Sequence, residues 1–162
     1  MRIGLTGDTH NNLKNIGKIC SLFNEEKVDF VMHTGDITLP KSLEAFKKLN
    51  MPLKGVFGNN DQGEIEGLSA ICSKYNFDFN ETFRLDMALE KKIYTVHDPL
   101  GIKESFYGRG NIILHGHTHR YRNEVINNTF IFNPGECAGF IKGKNAIGII
   151  NVSLPGMDII NF

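Results

Sequence analysis

The chain has 162 residues, of which 41% are hydrophobic and 22% are charged, and its 18 basic side chains balance 18 acidic ones. This length suits one domain with its own core, and zero net charge argues against a chain-wide basic surface for nucleic acid or anionic lipid. Three scattered cysteines argue against a disulfide framework, and no apolar run reaches the roughly 18 residues that a membrane span needs. We therefore expect a single domain over residues 1–162, soluble and cytoplasmic, without a secretory signal.

The first half of the chain alternates short apolar runs with amphipathic patterns. Each run is a predicted strand that ends in glycine followed by aspartate or asparagine; the runs cover residues 3–6, 30–33 and 53–57. Apolar residues then recur at helical spacing over residues 13–23, 40–49 and 65–75. Strand–helix–strand alternation predicts βαβ units and a mainly parallel sheet, in which ligands collect beyond the carboxyl ends of the strands.

The second half of the chain is richer in strands. Predicted strands cover residues 83–87, 93–96, 112–114, 124–126, 130–132, 146–152 and 157–160. A short helix is expected from Ile102 to Tyr107, and Asn127-Asn128-Thr129 has the composition of a hairpin turn. The fold class predicted is α/β, with two mixed sheets packed face to face as a sandwich and helices on the outside.

Polar side chains with metal-binding groups follow the predicted strands. They are Asp8, His10, Asp36, Asn59, His97, His117 and His119. Each motif alone has an ordinary explanation as a helix cap or a turn, but their joint occurrence at strand ends favours a site. The set is too large for one tetrahedral zinc and suits two five- or six-coordinate divalent ions. A carboxylate such as Asp36 can bridge two ions about 3.5–4 Å apart, as in hydrolases that clamp a phosphoryl oxygen and activate a water.

The order of these motifs resembles that of the calcineurin-like metallophosphoesterases, and in particular their small single-domain phosphodiesterases from bacteria and archaea. The resemblance rests on Asp8-Thr9-His10, Gly35-Asp36, Gly58-Asn59-Asn60-Asp61, His97, Gly116-His117-Thr118-His119 and the turn Asn133-Pro134-Gly135. It implies a four-layer α/β sandwich and two divalent ions per chain, usually Mn, with Ni, Fe, Co and Zn as alternatives. It also implies that one ion is held by Asp8, His10, Asp36 and His119, and the other by Asp36, Asn59, His97 and His117.

Three positions depart from the family pattern. Many members have a histidine that protonates the leaving group where this chain has Asn60. Asn60 and Asp61 are therefore the candidate catalytic side chains, Asn60 also as a substrate contact, and no general acid is identified. Asp98 and Glu136 stand where relatives often have glycine and serine. We expect both to face solvent, the alternative being that they repel a highly anionic substrate.

Other polar side chains near the motifs have weaker signals. Arg120 and Arg122 follow the last motif, and Arg120 is a candidate contact for a substrate phosphate, against the alternative of a solvated surface. His33 and His115 lie in strands and are expected to be packed core residues, although His33 could orient a ligand through one ring nitrogen.

The function predicted is metal-dependent hydrolysis of a small phosphodiester by a metal-activated water. A phosphomonoesterase is an alternative, although a doubly charged monoester would favour more cationic groups than this sequence offers. A nuclease is disfavoured by the neutral charge and the lack of a basic aromatic stripe. A binding scaffold like the related retromer subunit is disfavoured because every ligand position holds a competent ligand. By analogy with the family, a homodimer is slightly preferred.

Overall fold

The computed structural model describes residues 1–162 and contains eleven strands and three α-helices. In chain order these elements are β1 (Arg2–Thr6), α1 (Leu13–Glu26), β2 (Phe30–His33), α2 (Pro40–Glu44), β3 (Leu53–Val56), α3 (Ile65–Tyr75), β4 (Asp78–Asn80), β5 (Phe83–Ala88), β6 (Lys91–Val96), β7 (Ile112–Leu114), β8 (Arg122–Ile126), β9 (Thr129–Asn133), β10 (Ala146–Asn151) and β11 (Met157–Asn161).

The strands form two mixed sheets, which confirms the predicted fold class. One sheet has the order β11-β10-β1-β2-β3-β4 and the other has the order β5-β6-β7-β9-β8. Strands β1 to β4 run parallel, and so do β6, β7 and β9 in the second sheet. The predicted site residues lie in the loops that follow these parallel strands, at the carboxyl ends of the strands.

Three apolar clusters define the layers. The largest joins the three helices to one face of the six-stranded sheet, through side chains such as Phe23, Leu43 and Leu68. A second cluster lies between the two sheets and includes Leu5 and Phe132. The third covers the outer face of the five-stranded sheet. Burial on both faces explains why the central strands read as nearly continuous apolar runs.

The structure differs from the predicted elements in three places. The helix predicted over residues 40–49 ends as an α-helix at Glu44 and continues as a 3₁₀ turn over Ala45–Lys48. The helix expected over 102–107 is only a 3₁₀ turn at Glu104–Phe106, so short 3₁₀ segments form the outer layer there. Strand β4 was not predicted, because its three residues offer a single apolar side chain between two polar ones.

The predicted hairpin forms with a two-residue turn. Asn127 and Asn128 have φ values of 50° and 58°, and asparagine tolerates this left-handed conformation well. No helix in the structure combines the length and the apolar character that crossing a lipid bilayer would require.

Candidate metal centre

The loops beyond the strand ends have an unusual backbone. Five of the seven predicted ligands have positive φ values, from 44° at His10 to 66° at His117. The other three are Asp8, Asp36 and His119. Side chains other than glycine rarely adopt this left-handed conformation, and it is concentrated at functional sites in proteins. The side chains of these loops therefore point towards one place, and the backbone is strained at the residues that bear them.

The first group of ligand atoms comes from Asp8, His10 and His119, whose donor atoms all lie within 4.8 Å of one another. Asp8 is 1% exposed, and both of its oxygens accept a hydrogen bond from the backbone N–H of His117. Nε2 of His119 lies 3.7 Å from Asp8 Oδ1. Nε2 of His10 is buried and has no hydrogen-bond partner. A buried nitrogen without a partner is costly in free energy, and a metal ion would satisfy it.

The second group comes from Asp36, His97 and His117, again with donor atoms within 4.8 Å of one another. Nδ1 of His97 donates to the carbonyl oxygen of Thr34 at 2.9 Å, so in the neutral ring Nε2 carries a lone pair. That Nε2 lies 2.9 Å from Asn59 Oδ1, 3.1 Å from His117 Nδ1 and 3.4 Å from Asp36 Oδ1. Four electron-rich atoms converge at this point, as the ligands of a cation do.

Asp36 lies between the two groups. Its Oδ1 is 3.4 Å from Nε2 of His97 in the second group, and its Oδ2 is 3.9 Å from Nε2 of His10 in the first. One carboxylate oxygen therefore faces each group, which is the arrangement that a bridging ligand needs.

Two glycines allow the backbone to come this close. A Cβ atom added at Gly58 would lie 2.1 Å from Asp36 Oδ1, and one added at Gly116 would lie 2.6 Å from Asp8 Oδ2. Any side chain at either position would displace a carboxylate of the site, so the glycines that precede the predicted ligands have a steric reason to be there.

The electrostatics of the site also favour a cation. Burial raises the pKa of Asp8 to about 7; the charge of His119 opposes this rise and that of Asp36 reinforces it. Burial likewise lowers the pKa of His10, because a charged imidazole is poorly solvated there. A divalent ion stabilises buried carboxylates and accepts the lone pairs of imidazole nitrogens, so the donor set fits two such ions.

The two candidate catalytic residues have different surroundings. Asn60 is exposed, and its backbone N–H and side-chain amide donate to Asp36 Oδ1 and Oδ2 at 2.9 and 2.6 Å. Asp61 is fully buried and accepts four backbone N–H bonds, from residues 36, 37, 38 and 58. Burial raises the pKa of Asp61, and the backbone hydrogen bonds oppose that rise. This geometry makes Asp61 the residue that ties the Asp36 loop to the Asn59 loop.

The arginines and the strand histidines lie around the site. Arg120 is exposed, and its backbone N–H donates to Thr118 Oγ1. Arg122 pairs with Glu124 at 2.9 Å and lies 3.4 Å from His115 Nε2, so its guanidinium is engaged away from the two groups. His33 and His115 are buried, as expected for core residues.

His33 makes its hydrogen bonds to groups other than the predicted ligand side chains. Its Nε2 pairs with Thr9 Oγ1 at 3.0 Å, and its Nδ1 accepts from the backbone N–H of Gly35 at 3.1 Å. It therefore holds the backbone beside Asp8, His10 and Asp36 rather than orienting one of their side chains.

The expectation that Glu136 faces solvent is wrong: this side chain is 2% exposed and its Oε2 lies 2.5 Å from His119 Nδ1. Strand β9 precedes it and runs parallel to β7, so residues after β9 emerge beside those after β7. This pairing is visible only in the structure, and no local sequence signal indicated it. Asp98 is indeed half-exposed, with its Oδ2 3.8 Å from His117 Nε2.

A cavity of about 530 Å³ opens beside the second group. Its lining includes Asn59, His97 and His117, together with Phe57 and Phe83. A substituent of a bound ester could extend into this space without crossing the first group.

Comparisons with known proteins agree with this geometry. Residues 1–153 match the family model of the calcineurin-like phosphoesterase superfamily domain. The chain is 31% identical over 162 residues to the phosphodiesterase MJ0936 of Methanocaldococcus jannaschii, with 93% of each chain covered. Its fold matches a structurally characterised archaeal phosphodiesterase with a TM-score of 0.86 at 30% identity over 100% of both chains. It also matches the phosphoesterase YfcE of E. coli with a TM-score of 0.74 at 16% identity, covering 99% and 98% of the two chains.

Proposed function

The chain belongs to the calcineurin-like phosphoesterase superfamily and is a hydrolase of ester bonds, and we propose that it is a metal-dependent phosphodiesterase acting on a small phosphodiester. The observation that carries this proposal is the pair of ligand groups with Asp36 between them. Relatives named as phosphodiesterases support the same substrate class.

We propose that Asp8, His10, Asp36 and His119 hold one divalent ion, and that Asp36, Asn59, His97 and His117 hold the other. When bound, such a pair supplies charge neutralisation at the phosphoryl oxygens and lowers the pKa of a bound water. Mn²⁺ is the ion we propose, on the resemblance to the family; the carboxylate and amide ligands suit it, and the imidazole ligands also suit Ni, Fe, Co and Zn.

The proposed preference for diesters follows from charge. A monoester brings about one more negative charge than a diester, and Arg122 is already paired with Glu124. Arg120 is the remaining arginine beside the last motif, and we propose it as a substrate contact. Glu136 and Asp98 add negative charge at the edges of the two groups. A singly charged substrate suits this balance better.

For the chemistry, we propose that Asn60 contacts the substrate or leaving group as a hydrogen-bond donor. An amide gives up no proton near neutral pH, so it cannot replace the general acid found at this position in relatives. Asp61 is assigned to positioning, because its two oxygens accept four backbone N–H bonds.

Kinetics with matched aryl substrates test the function. The protein should hydrolyse bis(p-nitrophenyl) phosphate when Mn²⁺ is added, and a chelator should stop the reaction. The value of kcat/KM for this diester should exceed that for p-nitrophenyl phosphate. A tenfold preference for the monoester, about 1.4 kcal/mol in transition-state binding, would overturn the diester assignment. No hydrolysis of either substrate with two ions bound would instead favour a binding scaffold.

We further propose that residues 1–162 form one domain, that the protein is cytoplasmic and that it forms a homodimer. Light scattering coupled to size-exclusion chromatography decides the oligomeric state, since a dimer has twice the 18.2 kDa mass of the chain.

A further inference from the structure

The environment of Glu136 sets this residue apart from the other surface-loop carboxylates. It follows the turn Pro134-Gly135 at the end of β9, where Gly135 has a φ of 100° that favours glycine. The turn brings the Glu136 side chain into the protein, where it is 2% exposed. A buried carboxylate needs hydrogen bonds on both oxygens to offset its lost hydration, and Glu136 has them.

One oxygen fixes the edge of a histidine ring. Oε2 of Glu136 lies 2.5 Å from Nδ1 of His119. Because a carboxylate only accepts hydrogen bonds, Nδ1 carries the proton in this contact. The lone pair of a neutral His119 ring is then on Nε2, which lies 3.7 Å from Asp8 Oδ1 and so faces the first group.

The other oxygen anchors an aromatic residue against the face of the same ring. Oε1 of Glu136 accepts the backbone N–H of Phe140 at 2.8 Å. The Phe140 ring stacks on His119, with centroids 5.5 Å apart and planes at 19°, and its centroid is 5.2 Å from that of His10. One carboxylate thus holds His119 directly at its edge and indirectly at its face.

We propose that Glu136 is a positioning residue that fixes the tautomer and orientation of His119 and thereby raises the affinity of the first site for its divalent ion. This inference rests on the proposed metal centre. The second site has no equivalent: His97 is held by the neutral carbonyl of Thr34, and Asp98 is 40% exposed and 3.8 Å from the His117 ring. Groups that hold the second nitrogen of a ligating histidine typically change metal affinity by about 10–100-fold.

Metal titration of the full chain tests the proposal without substrate. Free Mn²⁺ is measured by electron paramagnetic resonance during titration of the wild type, Glu136→Ser and Glu136→Gln. Serine removes the acceptor at Nδ1, and we expect the affinity of one of two sites to fall by about 10–100-fold. Glutamine keeps the length and one acceptor oxygen, so it should restore part of that loss.

One variant serves as a control. Glu66→Gln removes an exposed charge on α3, away from both groups. It should bind two ions with unchanged affinity. Nitrogen-15 NMR of the His119 ring adds a structural readout, because the Nδ1–H tautomer should dominate in the wild type and lose that dominance in Glu136→Ser.

The outcomes separate the two proposals. Unchanged affinity in a folded Glu136→Ser, or an equal loss at both sites, would overturn the role of Glu136. If Glu136→Ser does not fold, Glu136→Gln decides: wild-type affinity together with a changed His119 tautomer would overturn the role. A wild type that binds two ions but hydrolyses no phosphoester would overturn the proposed function, while the titrations would still decide the role of Glu136.

Discussion

The two ligand groups differ in what lies behind their histidines. In the first group, His119 is backed by the buried carboxylate of Glu136 and covered by Phe140. In the second, His97 is backed by a backbone carbonyl, and the side chain of His117 is 41% exposed next to the cavity of about 530 Å³.

This difference predicts different roles for the two groups. A charged, buried support favours tight binding of an ion. For the two proposed ions, we therefore expect the first group to retain its ion more tightly. We expect the second, whose His117 side chain is the more exposed, to be the more open to substrate, although a cavity of about 400 Å³ also borders His119. Asp36 is the one side chain that belongs to both.

The largest effect is expected from substitution of Asp36, the carboxylate that faces both groups. Asp36→Asn replaces one oxygen of the shared carboxylate by an amide nitrogen, which cannot ligate an ion facing it. We expect loss of ions from both groups and a fall in kcat/KM of roughly 10³-fold or more, about 4 kcal/mol. Metal analysis beside the diester assay checks this. Two ions per chain with near wild-type turnover would show that Asp36 is not shared.

Single-group variants should cost less and should differ from each other. His10→Ala and His117→Ala each leave one group with its full set of protein ligands, so each should retain about one ion and lose roughly 10²-fold in kcat/KM, less than Asp36→Asn. Because the second group is the more open, His117→Ala should raise KM more than His10→Ala does. Identical changes in KM for the two variants would contradict the assignment of the open group to substrate access.

A smaller effect is expected from Asn60, and it concerns how the rate depends on the pKa of the substrate's leaving group. Since Asn60 cannot donate a proton, rates should fall steeply as the leaving-group pKa rises, so aryl diesters should react well and alkyl diesters poorly. Asn60→His should speed poor leaving groups by about 10-fold or more, within the range of a positioned general acid, and good ones less.

Rates plotted against leaving-group pKa for the parent and Asn60→His give the answer. Asn60→Ala is the matched control, because it removes the amide without supplying a proton. A flat plot for the parent protein would mean that another side chain already acts as general acid.

A separate effect is on stability rather than activity and comes from His33, which contacts Thr9 Oγ1 and accepts the backbone N–H of Gly35. Burial lowers the pKa of His33 from 6.5 to about 3. The unfolded chain binds this proton near pH 6.5 and the folded chain does not, so its contribution is fully present above pH 6.5. That contribution is lost as the pH falls towards 3, at up to about 1.4 kcal/mol per pH unit.

His33→Gln isolates this contribution, because glutamine keeps polar atoms for Thr9 and for the Gly35 N–H without titrating. Urea unfolding between about pH 4 and 7.5 should show a flatter pH dependence for His33→Gln than for the wild type. Parallel curves for the two proteins would show that the pKa of His33 is the same in the folded and unfolded states, and would contradict the expected lowering.

The convergence of the predicted ligands could be predicted from the sequence, because each ligand follows an apolar strand and a short polar motif shows where that strand ends. His97 and His117, 20 positions apart, meet because β6 and β7 are adjacent and parallel. The role of Asp61 could not be predicted, because its four hydrogen bonds come from two separate loops. Glu136 was missed for a similar reason: its direction depends on the Gly135 turn and on the pairing of β9 with β7.

The left-handed backbone at five of the proposed ligands has a consequence for protein engineering. Each such residue costs on the order of 1–2 kcal/mol that glycine, and to a lesser degree asparagine, would avoid. A screen for heat resistance alone is therefore expected to select substitutions at these positions, and glycine there would remove a proposed ligand while asparagine would weaken one. Stability and activity compete at the same five residues, so a thermostable descendant of this protein has to be selected for metal binding and folding together.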